Sequence, residues 1–451
     1  MTIQFLGASE TVTGSKYLLN TGDKKILIDC GLFQGLKELR LLNWNDLPLD
    51  VSDIDAVILT HGHLDHTGYL PRLLKLGFKG HIYGTPPTLD IAEIILLDSG
   101  KIQEEESKKA NDEGYSKHHP AKPLYNLKDA ERAIAHFRVM QEGEWIELFP
   151  NIKVRLQYNG HILGAVFIEM DVQGKRIVFS GDIGRKKDAL LHSPKKPEKA
   201  DVLLIESTYG DRIHPQIDLE KRMQEIVMHT IEKNGTLIIP SFAVERAQLL
   251  MYVLWKLREK KMIPEIPMIL DSPMGANVLQ LFYKYKEWHQ LEIDDCIKMC
   301  EAFQIVREYK ETWENIDNDK PKIVIAGSGM VTGGRVLTYL QYYLDRPETS
   351  ILLAGYQAEG TRGRALLEGT KELKIYGKYY PVQAEVFDLQ VLSAHADQNE
   401  LLDWMREIKE APKHIFTVHG ERIAADALIV KIMDTYGWEA SIPKLNEIIE
   451  I

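Results

Sequence analysis

Short apolar runs that each stop at a polar, glycine-rich turn dominate the pattern of this chain. Ile3–Gly7, Lys16–Leu19 and Lys25–Ile28 read as strands, and so does Asp55–Leu59. Gly80–Tyr83, Ile152–Tyr158 and Asp201–Ile205 follow the same form. Val166–Asp171 and Lys175–Phe179 predict a hairpin around Gln173-Gly174. A helix is expected from Tyr69 to Leu76. From Thr88 to Met140 the pattern turns helical and charged, with Ile91, Ile94, Ile95 and Leu97 on one side. From about residue 211 helices and strands alternate. A helix at Asp218–Lys233 is followed by strands at Thr236–Ile239, Pro267–Leu270, Lys322–Ala326 and Ser350–Leu353. This β-α-β rhythm predicts a parallel sheet in an inserted domain. The first texture returns with strands at Gln383–Leu392 and Lys413–Val418, separated by a helix with Leu401, Leu402, Met405 and Ile408 on one face.

The polar residues at the strand ends carry the chemistry. Asp55–Leu59 stops at Thr60-His61-Gly62-His63-Leu64-Asp65-His66, four potential metal ligands within six residues. Side chains at the carboxyl edge of a sheet sit where α/β proteins bind ligands, and imidazole and carboxylate are groups that Zn²⁺ accepts. Asp29, His161, Asp182, Glu206, His395 and His419 also follow strands. Their recurrence predicts one edge that collects polar groups. His61, His63 and His161 suit one ion and Asp65, His66 and His419 a second, with Asp182 bridging. Two ions about 3.5–4 Å apart suit in-line displacement at phosphorus, with a bound water that ionises near pH ~7. Asp29 is expected to orient a ligating histidine from behind. His395 can protonate a leaving alkoxide, with Glu206 holding its ring. Asp65, His395 and Glu206 are thus the candidate catalytic residues. His118-His119 lie in a polar loop before Pro120 and are not expected to bind metal. The Gly327–Gly334 turn could receive an anion or serve only as a turn.

Composition narrows the setting. The chain has 451 residues, enough for two or three domains. No apolar run reaches membrane-spanning length, and Met1–Gly7 reads as a strand rather than a signal peptide. Three cysteines, Cys30, Cys296 and Cys300, exclude a disulfide framework and fit a reducing cytoplasm; the last two are expected in a core. A net charge of −11 argues against indiscriminate nucleic-acid binding through a basic surface.

His61-Gly-His63-Leu-Asp65-His66, then His161 and Asp182, resembles the metallo-β-lactamase-fold hydrolases. Glu206, Ser393-Ala-His395 and Val418-His419-Gly420 resemble motifs A, B and C of the β-CASP nucleases. Ser241–Arg246, Leu270–Met274 and Gly327–Met330 are similar to the bacterial and archaeal relatives of the cleavage and polyadenylation specificity factor endonuclease. The resemblance implies an α/β fold, an αββα sandwich with an inserted Rossmann-like β-CASP domain. The expected division is 1–208 and 386–451 for the sandwich and 209–385 for the insert. It also implies two Zn²⁺ per chain and a single-stranded RNA substrate cut to 5′-phosphate and 3′-hydroxyl ends. Histidine at motif C resembles the RNA-processing members of the branch. Endonuclease action is expected, with exonuclease action and a homodimer left open. Ser393, Ser328, Gly329 and Arg246 are the expected RNA-phosphate contacts, with the scissile phosphate between the two domains. A KH-type segment before Met1, as in the larger archaeal members, is not expected; nor is an extra domain after Ile451, as in the ribonuclease J group, so that group's 5′-end-directed behaviour is not assumed. The alternatives are a small-molecule thioester or lactone hydrolase of the same fold, or a non-catalytic RNA-processing subunit.

Overall fold

The structure is a computed structural model that describes residues 1–114, 118–215, 217–389 and 392–451. The chain divides into two compact units, Met1–Ile213 with His395–Ile451, and His214–Ala394.

The first unit contains two sheets. One runs Ile448–Glu450, Thr2–Phe5, Tyr17–Asn20, Lys25–Ile28, Ala56–Ile58, His81–Gly84 and Phe137–Val139. Its pairings are antiparallel as far as Lys25–Ile28 and parallel beyond. The other runs His414–Val418, Val202–Glu206, Lys175–Phe179, Val166–Val172, Ile152–Tyr158 and Ile146–Phe149. The sheets face each other through aromatic contacts. Phe5 meets Phe416 at a ring separation of 5.1 Å, and Tyr17 meets Phe179 at 6.5 Å.

Helices cover both outer faces. Leu27, Val57 and Ile82 pack with Leu70, Leu73, Leu96 and Ala133 from the helices over the first sheet. Val178, Leu203 and Ile415 pack with Leu401, Trp404, Leu428 and Ile432 over the second. Strands such as Ala56–Ile58 and Val202–Glu206 are therefore buried on both faces. That is why they read as unbroken apolar runs rather than alternating ones. This is the αββα sandwich.

The 88–140 stretch holds one feature that the helical pattern does not show. Helices Pro86–Asp112 and Leu127–Ile134 are followed by an edge strand, Phe137–Val139. That strand has three residues, none fully buried, so no period-2 signal survives in it.

The second unit has a six-stranded, wholly parallel sheet ordered Gln304–Val306, Met268–Asp271, Lys322–Ala326, Thr236–Pro240, Ser350–Leu353 and Glu385–Asp388. The helix between strands supplies each crossover, the Rossmann-like pattern. Glu385–Asp388 pairs with Ser350–Leu353, so the chain leaves this unit near 395 rather than at 386. The last strand is shorter than the expected Gln383–Leu392; positions 390 and 391 lie outside the described residues. Cys296 is buried and Cys300 half-buried, both as free thiols.

Candidate metal centre

Six strand ends of the first unit deliver the polar groups. Ala56–Ile58 lies parallel to Lys25–Ile28, so Asp29 and Thr60 emerge side by side. Asp29 accepts from the Thr60 backbone N–H at 2.8 Å and from its hydroxyl at 2.7 Å. The same carboxylate faces His66 Nδ1 at 2.8 Å. Asp29 adopts φ +58°, an uncommon backbone region that turns the chain sharply after its strand. The next residues hold the His/Asp loop. Cys30 N–H donates to the His66 carbonyl and Ser15 N–H to the Asp65 carbonyl. Gly31 packs so closely that a Cβ there would fall 1.5 Å from the Asp65 carbonyl oxygen.

His161 and Asp182 follow strands of the other sheet, and Asn159 links their loops by donating to the Ser180 and Asp182 carbonyls at 2.6 Å. His414–Val418 pairs parallel with Val202–Glu206, which sets His419 beside Ser207 and Thr208. The Thr208 hydroxyl donates to the His419 carbonyl at 3.0 Å and lies 3.2 Å from its Nδ1.

The donors converge in two groups. His61, His63, His161 and Asp182 offer atoms all within 4.8 Å of one another, and so do Asp65, His66 and His419. A third overlapping set joins Asp182, Glu206 and His419. Asp182 belongs to both sides. Its Oδ2 lies 3.5 Å from His61 Nε2 and from His161 Nε2, while Oδ1 lies 3.3 Å from His66 Nε2 and 3.5 Å from His419 Nδ1. Asp65 Oδ2 is 3.5 Å from His419 Nε2.

The arrangement fits cations. His63 Nδ1 faces His61 Nε2 at 3.1 Å and His161 Nε2 at 3.3 Å. One ring nitrogen cannot complete hydrogen bonds to two neutral imidazoles at once, whereas a cation among the three satisfies all of them. Asp182 Oδ1 is buried without a hydrogen-bond partner among the described residues. Protonation states agree. Burial pushes His61 and His161 well below the ordinary imidazole range and His63 down to about 4, so their lone pairs are available. Burial alone would raise Asp182, but His419, His66 and His61 outweigh it and hold the carboxyl well below its usual range. Burial likewise opposes charge on His66, and Asp182 and Asp29 reverse that and raise it. Ion binding must therefore displace a proton there.

His395 and Glu206 stand beside these groups. Glu206 is wholly buried; its carboxylate oxygens lie 3.0 and 3.2 Å from His395 Nδ1, and Ile183 N–H donates to the same carboxylate. The His395 ring is 4.5 Å from that of His161. Two devices fix His395. Its backbone bridges to Gly184, and Asp397 and Glu400 form a reciprocal cap on helix Gln398–Met405. Burial pulls the imidazole down, yet the Glu206 charge and hydrogen bond outweigh it, and His395 stands above its ordinary value.

The expected RNA contacts fall in the second unit. Ser328 and Gly329 lie on the loop after Lys322–Ala326, where the Ser328 hydroxyl meets that of Thr332 at 2.9 Å and the Gly329 carbonyl accepts from Gln357. Arg246 opens helix Arg246–Glu259, and Ser393 precedes the return to the first unit; both are buried. Thr60 and Thr208 escape the sequence reading. A hydroxyl next to a histidine carries no distinctive pattern, and only its place after a strand end could have marked it.

Comparison with known proteins places these features in a family. Residues 11–96 match the metallo-beta-lactamase superfamily, 247–366 the Beta-Casp domain, and 379–443 the Zn-dependent metallo-hydrolase RNA specificity domain. The chain is 35% identical to Ribonuclease TTHA0252 of Thermus thermophilus, over 99% of each protein. It is 31% identical to Transcription termination factor FttA of Methanosarcina mazei, over 93% of this chain and 67% of that one. A crystal structure of a protein of unknown function from Enterococcus faecalis V583 shares the fold, with a TM-score of 0.54, 14% identity and 99% coverage of both chains. The clustered histidines and aspartates are groups that could hold metal, and the chain is a hydrolase that belongs to the β-CASP family of metallo-β-lactamase-fold ribonucleases.

Proposed function

We propose that this protein is a dinuclear zinc ribonuclease that cuts single-stranded RNA internally, leaving 5′-phosphate and 3′-hydroxyl ends. The observation that carries the reading is the pair of buried Glu206 and half-buried His395 at 3.0 Å, set against two groups of potential metal donors that Asp182 faces. The name of the Thermus relative, a ribonuclease, supports RNA as the substrate. His61, His63 and His161 would hold one ion and Asp65, His66 and His419 the other, with Asp182 available to both. Imidazole with carboxylate suits zinc. When bound, the ions acidify water and offset the negative charge of the phosphodiester.

The chain's own groups do the rest. Asp29 fixes the His66 ring through Nδ1, leaving Nε2 toward the donor cluster. Glu206 holds His395 Nδ1 protonated, which leaves Nε2–H to protonate the departing 3′-oxygen. Because water rather than the 2′-hydroxyl attacks, the preference for RNA resides in binding. Ser328, Gly329, Arg246 and Ser393 are the proposed phosphate contacts. The three free cysteines fit a reducing compartment, and we place the enzyme in the cytoplasm.

The test is a product map on a defined single-stranded RNA blocked at both ends. Zinc-loaded protein is expected to yield internal cuts with 5′-phosphates, and chelator is expected to stop them. Cleavage that survives complete removal of metal, or hydrolysis confined to thioesters and lactones, contradicts the proposal.

A further inference from the structure

Behind the donor cluster, between the two sheets of the first unit, lies a small cavity of about 10 Å³, room for one water molecule. Tyr17, Asp29, Thr60, His66, Asp182 and His419 line it. Tyr17 belongs to strand Tyr17–Asn20, whose position opposite Ile28 turns the ring into the sandwich. The ring is fixed on both sides, 6.1 Å from Phe5 and 6.5 Å from Phe179. Only 5% of Tyr17 is exposed, yet its hydroxyl makes no hydrogen bond of regular geometry among the described residues, with the Ser15 side chain as its polar neighbour.

A buried phenol without a partner costs about 1–3 kcal/mol. A phenylalanine would fill the same apolar slot without that cost. The chain instead places an O–H beside a small void whose lining, apolar in larger part, includes Asp29, His66, Asp182 and His419. A phenol is protonated at neutral pH, so it faces the void as a donor. The lining also holds acceptors, the carboxylates of Asp29 and Asp182. Buried waters settle where two to four polar groups converge in a space of this size.

We propose that the cavity holds one ordered water that accepts from the Tyr17 hydroxyl and donates to Asp29 and Asp182, making Tyr17 a positioning residue for the metal centre. Asp29 orients His66, and Asp182 faces both donor groups. The water thus ties the two carboxylates together from between the two sheets. The inference rests on the metal-centre reading above.

Tyr17→Phe removes the donor and leaves the ring. Partners one shell out from a metal ligand change affinity by roughly 10–100-fold, and a water-mediated one is expected at the low end, about 10-fold. Zn²⁺ affinity by chelator competition is expected to fall by that factor, with the ligand-field bands of the Co²⁺-loaded protein altered. The melting temperature of the metal-free protein is expected not to fall, which separates positioning from a purely structural role. A high-resolution crystal structure of the zinc-loaded wild type is expected to show water density in the cavity. Unchanged Zn²⁺ affinity in the variant, a loss of metal-free stability alone, or an empty cavity overturns the inference while leaving the metal centre standing. A wild type that binds no Zn²⁺ overturns both.

Discussion

Replacing Glu206 by glutamine removes one charge from a fully buried position and little else. The amide oxygen can still accept from Ile183 N–H, as the carboxylate does now. Its NH₂ then faces His395 Nδ1, which must accept rather than donate, and the neutral ring is favoured. Glu206 now holds His395 above its ordinary value against the opposing effect of burial. The sign follows from that. A raised histidine keeps its proton as pH climbs past the ordinary value near 6.5, and the acid is lost only as pH passes the higher value in the folded protein. The pair at 3.0 Å is a charge-assisted hydrogen bond, worth about 1.5–3 kcal/mol. Its loss reduces the protonated fraction on the basic limb by roughly 10- to 150-fold. The assay is single-turnover cleavage of end-labelled RNA at saturating zinc, from about pH 5 to pH 9. In Glu206→Gln the basic limb is expected to move to lower pH, and rates at the acidic end to converge with wild type. Equal basic limbs in the two proteins would falsify the role given to the pair.

Other perturbations reach different parts of the account. Gly31→Ala pushes a methyl into the Asp65 carbonyl oxygen and should displace the His/Asp loop; a metal titration showing normal stoichiometry and affinity would contradict that packing. Asp29→Ala removes the partner of His66 Nδ1 and should lower zinc affinity by roughly 10–100-fold, read by chelator competition. Zinc should raise the melting temperature in a concentration-dependent way, because the ions bind the folded donor set; an unshifted calorimetric transition contradicts binding to the native state. Arg246→Ala should weaken RNA binding and reduce the slope of log affinity against log salt by about 0.7, the single-strand value for one phosphate contact. An unchanged slope removes Arg246 from the contact set.

Local chemistry was legible in the chain where it coincided with a strand end. His61, His63, His66, His161 and Asp182 each follow a short apolar run, and a strand brings its end to a sheet edge whatever its neighbours are. The third dimension was less legible. His419 lies 353 residues from His66, yet their Nε2 atoms are 3.2 Å apart because His414–Val418 pairs with Val202–Glu206. Parallel pairing has no local signature, so the strand end after Val418 marks His419 as a candidate ligand without showing that it meets His66. Phe137–Val139 was hidden because an exposed three-residue edge strand has neither length nor alternation. Tyr17 sits in an apolar run where an aromatic ring is ordinary; its unbonded hydroxyl becomes visible only once the two sheets close over it.

The central claim is that metal and acid act together, with His395 protonating the leaving 3′-oxygen. The direct test compares His395→Ala with wild type on an RNA and on the same RNA carrying a 3′-sulfur at the scissile bond, whose thiolate leaves without a proton. Zinc content is measured in both proteins. The account predicts full metal occupancy in the variant, a loss of roughly 10²–10⁴-fold on the oxygen substrate, and near-wild-type cleavage of the sulfur substrate. An equal loss on both substrates, or cleavage of the oxygen substrate at the wild-type rate, would contradict it.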